Sequence, residues 1–392
     1  MARNMKSSTC TAPVNIAVIK YWGKRDEELI LPTNSSLSVT LGQDQLRAKT
    51  TVAIDPSFTE DRMWLNGKEQ SMKSARLRNV LREIRNKVRK RKADDETLSW
   101  KVHICSENNF PTAAGLASSA AGYACLVFTL SKLFHVDGDI SSIARQGSGS
   151  ACRSVYGGFV KWVMGTQKDG ADSIAVQVAP ASHWPELRTL ILVVSDQKKH
   201  TSSTEGMQTT VNTSQLFPRR LLGMEEKMEQ MEKSINEKDF HSFAELTMKD
   251  SNQLHSVCLD TYPPISYMKD VSHQIVRMVH CLNSICERNI VAYTFDAGPN
   301  ACLYLLEKDV PRVLSLVTTF FPPKDNNMEK FIQGLPVDVL PPSQGDLAAI
   351  PMEKQTDAIR YIIHTQVGAD PQVLDNSETL LDSQGMPKYS IE

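Results

Sequence analysis

A change of hydrophobic period near the middle of the chain most constrains its fold. Up to about residue 195 the apolar residues gather in short β-branched runs: 12–23 (APVNIAVIKYWG), 36–41, 47–54, 97–104, 158–164, 173–179 and 188–195. Runs of this length rich in Val, Ile and Thr read as strands, and Asn66-Gly67 at the end of 61–66 reads as a hairpin turn. Helices are predicted at 72–90, 120–133 and 139–146. Beyond the boundary the period becomes helical. Leu221, Met224, Met228, Met231 and Ile235 recur at alternating spacings of three and four, which is one face of an amphipathic helix. Helices at 239–258 and 265–288 follow, then strands at 290–296 and 301–306 around a turn, a helix at 309–319 and a late strand at 360–367. The tail after 374 is polar and is expected to be loose. Strands, then helices, then strands again predict an α+β fold in two domains, 1–195 and 196–392, with the boundary near 195–215.

Composition narrows the function. A chain of 392 residues buries a core without needing disulfides or metals. A formal net charge of −1 provides no overall field for nucleic acid or membrane, so anion binding must come from local clusters. The eight cysteines form no C-x-x-C pair and the nine histidines no H-E-x-x-H pattern, so no zinc site is expected. The basic run 82–92 lies on a predicted helix and reads as a solvated face rather than a nucleic-acid surface. The N-terminal residues lack an apolar signal core, and no apolar run reaches the roughly 18 residues of a membrane span. A cytoplasmic location is the expectation.

Four local constellations carry the chemistry. Asn109 to Ala121 (NFPTAAGLASSAA) is a small-residue loop running into a helix. Small residues let the backbone approach a ligand, and the helix start points free N–H groups at a phosphate chain. Ser118 and Ser119 add hydroxyls for phosphate or Mg²⁺; the bland alternative is a tightly packed helix cap. Gly147 to Arg153 (GSGSACR) sets Ser148, Ser150 and a guanidinium on a second small-residue frame, suited to gripping a carboxylate or phosphate. Lys20, Lys24 and Arg25 place three cations at the end of an apolar strand. Asp296, before Ala297-Gly298-Pro299, stands at a strand end, where a carboxylate can take a proton from a hydroxyl or simply close an Asx-turn. The polar stretch 195–207 can bring Ser203 to the same place.

In this order the four segments resemble the GHMP kinase superfamily. The phosphate loop of that group reads roughly P-x-x-x-G-L-G-S-S-A, and here it is Pro111 to Ala120 with Ala117 replacing the last glycine. That variant, with APVNIAVIKYWGKRD and GSGSACRS, is similar to the mevalonate diphosphate decarboxylases. The resemblance implies two α+β lobes with the active site in the cleft between them, and an enzyme that is commonly a homodimer. It also implies a reaction: ATP phosphorylates the 3-hydroxyl of mevalonate 5-diphosphate, and loss of that phosphate with CO₂ gives isopentenyl diphosphate. Carried over residue by residue, Asp296, Arg153, Lys20, Asn15 and Ser119 are the catalytic group. Tyr21, Lys24, Ser148, Ser150, Arg153 and Ser203 hold the substrate. Asn108, Ala114, Gly115, Leu116, Ala117, Ser118 and Ser119 hold ATP, with Ser119 toward Mg²⁺. The competing reading is a kinase of the same superfamily that releases no CO₂.

Overall fold

Val14 is where the chain changes sheets. The structure, a computed structural model, describes residues 5–110, 118–194, 200–325 and 327–389. The run read as one strand over 12–23 is two strands. Lys6–Pro13 pairs with Arg47–Asp55 in a six-stranded sheet, whereas Asn15–Ile19 pairs with Ser36–Thr40 in a four-stranded one. The first strand was hidden because its leading residues Lys6 and Ser7 are polar and exposed. Asn15–Ile19 is buried throughout and is the edge of its sheet, so its far end reaches the interior cleft described below.

The helix Ser118–Leu133 packs across Lys6–Pro13 and Arg47–Asp55. Ala120, Ala121 and Ala124 are fully buried, and their small side chains permit this close approach. The helices Met224–Glu237, Phe240–Asp260 and Asp270–Ile285 follow the predicted stripes, with Met228, Met231 and Ile235 buried on the first and Ile275, Met278 and Leu282 on the last. Asp270–Ile285 begins later than the expected 265.

Two further differences concern partners rather than local form. The strand expected at 188–195 in the first domain is Leu187–Val193, and it pairs with Ala301–Leu306 and Tyr361–Gln366 in the five-stranded sheet of the second half. All seven residues are buried, so no alternation betrays which sheet it joins. The change of sheet therefore falls before Leu187. The residues after 374, expected to be loose, are docked on the six-stranded sheet. Gln372–Val373 pairs with Cys10 and Thr11, Leu380 and Leu381 are buried, and the Leu380 N–H donates to Thr51 Oγ1 at 2.9 Å. Leu380 and Leu381 cluster with Ala53, Trp64 and Cys105, and Glu378 pairs with Lys49, so a mostly polar segment is still seated.

Candidate active site

A cleft of about 410 Å³ opens where the end of Asn15–Ile19 meets Asp296 and the helix Ser203–Thr213. Its centre is an ion pair. Lys20 Nζ lies 2.6 Å from Asp296 Oδ1, with Lys20 2% and Asp296 33% exposed. The lysine is thus enclosed, and the carboxylate keeps a face toward the cleft. Asp296 follows the strand Val291–Phe295 and is turned by a bond from the Gly298 N–H to its own carbonyl, 2.7 Å.

Lys20 is held by its backbone as well. Its N–H donates to Asp250 Oδ2 at 2.7 Å, and its carbonyl accepts from Asn34 Nδ2 at 3.0 Å. Asp250, on Phe240–Asp260, is wholly buried and bridged by Arg220 (2.9 Å) and Lys227 (2.9 Å). Burial works against the Asp250 charge, but the two cations outweigh it and hold the carboxyl below the ordinary carboxylate range.

Arg153 is the second anchor, 2% exposed. Its Nε donates to Ser38 Oγ at 3.0 Å and to Asn15 Oδ1 at 3.4 Å, and its Nη1 donates to Ser36 Oγ. Asn15 is fixed in turn by donating to Ser154 Oγ (2.7 Å) and to the Ser150 carbonyl (3.1 Å). Among the described residues Arg153 forms no ion pair; its hydrogen-bond partners are neutral oxygens. A buried guanidinium with no ion pair among the described residues, on the wall of a cleft, has the chemistry to hold an anion.

Between these anchors Tyr21 lies against Trp162, ring centroids 4.6 Å apart, and its buried hydroxyl has no hydrogen-bond partner among the described residues. Burial pushes the Tyr21 phenol up, so it stays protonated and able to donate. Burial, and then the charge of Arg76, pulls Lys24 below the ordinary lysine value. Ser148 and Ser150 line the same wall, and Ser119 Oγ stands 3.4 Å from Ser148 Oγ. Ser118 and Ser203 also line the cleft. Asn108 does not: it ends the strand Lys101–Asn108, with its N–H donating to Asn66 Oδ1 at 3.0 Å. Ala114, Gly115, Leu116 and Ala117 lie outside the described residues.

Sequence reasoning missed several residues. Arg76, inside the predicted 72–90 helix, lines the cleft and donates to Thr204 Oγ1 across it at 3.1 Å. Trp22, Met207 and Leu254 form an apolar wall. His255 packs behind Asp296 with Nε2 3.4 Å from the Phe295 carbonyl. Burial, and then the Lys20 charge, lowers its pKa to about 4, so it is neutral at neutral pH. For Arg76 the available signal was a cation in the first turn of a helix; His255 offered none.

The arrangement suits phosphoryl transfer to a small polyanion. It offers cations at three points, an enclosed lysine beside a carboxylate, and a helix start carrying two serines. Comparison with known proteins is decisive. Residues 12–175 match the model of the diphosphomevalonate decarboxylase-like N-terminal domain, and 189–374 that of the mevalonate 5-diphosphate decarboxylase C-terminal domain. The chain belongs to the diphosphomevalonate decarboxylase family.

The diphosphomevalonate decarboxylase of Bos taurus is 57% identical over 388 residues, covering 97% of each chain. The solved mevalonate diphosphate decarboxylase from Trypanosoma brucei superposes with a TM-score of 0.87 at 36% identity, over 96% of this chain and all of that one. A structure of the protein MDDEF in complex with MVAPP, AMPPCP and magnesium gives 0.73 at 30% identity, over 95% of this chain and 100% of that one. The α+β fold is that of these relatives. The chain is therefore a carboxy-lyase of the mevalonate pathway, converting mevalonate 5-diphosphate and ATP to isopentenyl diphosphate, ADP, phosphate and CO₂. No helix among the described residues is long and apolar enough to cross a membrane.

Proposed function

We propose that the Lys20–Asp296 pair is the reaction centre and that the cleft divides the substrate between its two anchors. The observation that carries this reading is the 2.6 Å contact between an enclosed lysine and a carboxylate that is still one-third exposed. Asp296 takes the proton of the 3-hydroxyl as its oxygen attacks the terminal phosphorus of ATP, and ADP departs. Lys20, 2.6 Å from Asp296, holds that carboxylate in place and lies ready to neutralise the transferred phosphoryl group. Arg153, steadied by Asn15, holds the substrate carboxylate. The new 3-phosphate then leaves with its bonding pair, the carbon–carbon bond to the carboxylate supplies the alkene electrons, and CO₂ departs.

Tyr21, Lys24, Arg76, Ser148, Ser150 and Ser203 receive the diphosphate. The Tyr21 hydroxyl, without a hydrogen-bond partner among the described residues, and the cations Lys24 and Arg76 on the same cleft fit a polyanion there. Ser118 and Ser119, with the loop before them, hold the ATP phosphates. Among the described residues no group of three His, Cys, Asp or Glu side chains converges. Ser119 and Asp296 would hold a Mg²⁺ ion, since hydroxyl and carboxylate oxygens suit this hard cation. When bound, the ion would neutralise phosphate charge. From the family resemblance we extend the proposal to a cytoplasmic homodimer, which light scattering on the purified protein tests.

The reading is tested by Asp296→Asn. Turnover should fall by about 10²–10⁴-fold, with mevalonate 5-diphosphate still bound. The unaltered enzyme should release ADP, phosphate and CO₂ in equal amounts. An Asp296→Asn enzyme with undiminished turnover would sink the assignment.

A further inference from the structure

The two members of the catalytic pair are 276 positions apart in sequence and come from different sheets. A contact of 2.6 Å between them therefore needs a common reference. One helix supplies it. Asp250 and Ser251 are consecutive residues of Phe240–Asp260, pointing about 100° apart around its axis. Asp250 Oδ2 accepts the backbone N–H of Lys20 at 2.7 Å. Ser251 Oγ accepts the backbone N–H of Phe295, the residue before Asp296, at 3.0 Å. One turn further on, on the same face as Ser251, His255 Nε2 stands 3.4 Å from the Phe295 carbonyl.

The sheet pattern explains why these bonds are available. Val291–Phe295 is the edge strand of its sheet, so its outward N–H and C=O groups at Phe295 have no strand partner. Lys20 lies just beyond the end of Asn15–Ile19, where strand pairing has stopped. The helix therefore takes the last backbone groups of both chains as they enter the cleft. Arg220 and Lys227 occupy the rest of the Asp250 carboxylate, so its charge is spent inside the helical layer and does not draw Lys20 Nζ away from Asp296.

We infer that the Asp250–Ser251–His255 turn is a positioning device that sets the Lys20–Asp296 distance, with Ser251 placing Asp296 and Asp250 placing Lys20. None of the three lines the cleft, so they act through the pair and not on the substrate. The inference rests on the proposed role of that pair. Small displacements of reacting groups cost rate much more than binding.

The test compares Ser251→Ala with Ser234→Ala in the full-length enzyme. Ser234 is an equally buried helix serine, on Met224–Glu237, bonded to the Met231 carbonyl at 2.8 Å and remote from the cleft. Steady-state kinetics are measured for both variants beside Asp296→Asn. With Ser251→Ala, kcat should fall about tenfold while KM for either substrate moves less than about twofold. Ser234→Ala should leave kcat unchanged at a similar Tm. If the two serine variants behave alike while Asp296→Asn is inactive, the positioning inference fails and the reaction centre stands. If Asp296→Asn is active, both fall.

Discussion

Asp250 and Arg153 are charges buried to the same degree, 0% and 2% exposed, and the protein treats them in opposite ways. Asp250 has two cations and a backbone N–H on its two oxygens. Arg153 hydrogen-bonds to three neutral oxygens and, among the described residues, forms no ion pair; Asp296 acts on it only at longer range. A charge removed from water costs free energy unless it is paired. The first cost is offset within the fold; on the proposed reading the substrate carboxylate offsets the second. The contrast separates a structural charge from a binding charge without reference to the reaction.

Four measurements test this contrast. The largest is expected for Asp250→Ala, which strands Arg220 and Lys227 without their acid. Stability should fall by about 3–5 kcal/mol in chemical denaturation, and a loss below about 1 kcal/mol would remove the distinction. Next comes Arg153→Gln. Turnover with mevalonate 5-diphosphate should fall about 10²–10³-fold, yet Tm should hold or rise, because an uncompensated cation has gone. A marked fall in Tm would show that the fold depends on Arg153 after all.

The third concerns His255, whose neighbours are the charges of Lys20, Asp296 and His273. Its folded pKa, about 4, lies below the ordinary 6.5, so the unfolded chain binds the proton first on acidification. Its stabilising contribution is complete above about pH 6.5 and is lost as pH falls toward 4, amounting to about 2 kcal/mol by pH 5. His255→Gln should flatten the stability curve over that interval; a curve parallel to the unaltered enzyme would contradict the burial argument. The smallest effect is that of Tyr21→Phe. Its hydroxyl has no partner among the described residues, so stability should not fall, while KM for mevalonate 5-diphosphate rises about fivefold, equivalent to about 1 kcal/mol. An unchanged KM would assign that hydroxyl to packing alone.

The chemistry was legible in the sequence where it rests on local frames. GSGSACR, KYWGKRD and the strand end at Asp296 could be recognised because the residues that shape each frame are neighbours in the chain. Arg76 was not, because its neighbours mark only a helix and its cleft partner Thr204 lies 128 positions away. Asp250 and His255 lie within the predicted helix 239–258, where nothing local marks them out. Their burial is set by strands packing onto that face from both halves.

The α+β class, the helical stripes of the second half and the four motifs whose order points to the family are all present in the linear chain. These are readings of period and of contiguous residues, which a chain carries before it folds. Only the tertiary structure decided that Leu187–Val193 joins the later sheet, that Leu380 and Leu381 seat the tail, and that Lys20 meets Asp296 across the chain. Backbone pairing and charge pairing depend on which groups arrive opposite one another. A fully buried strand or a lone lysine offers the same local pattern to every possible partner.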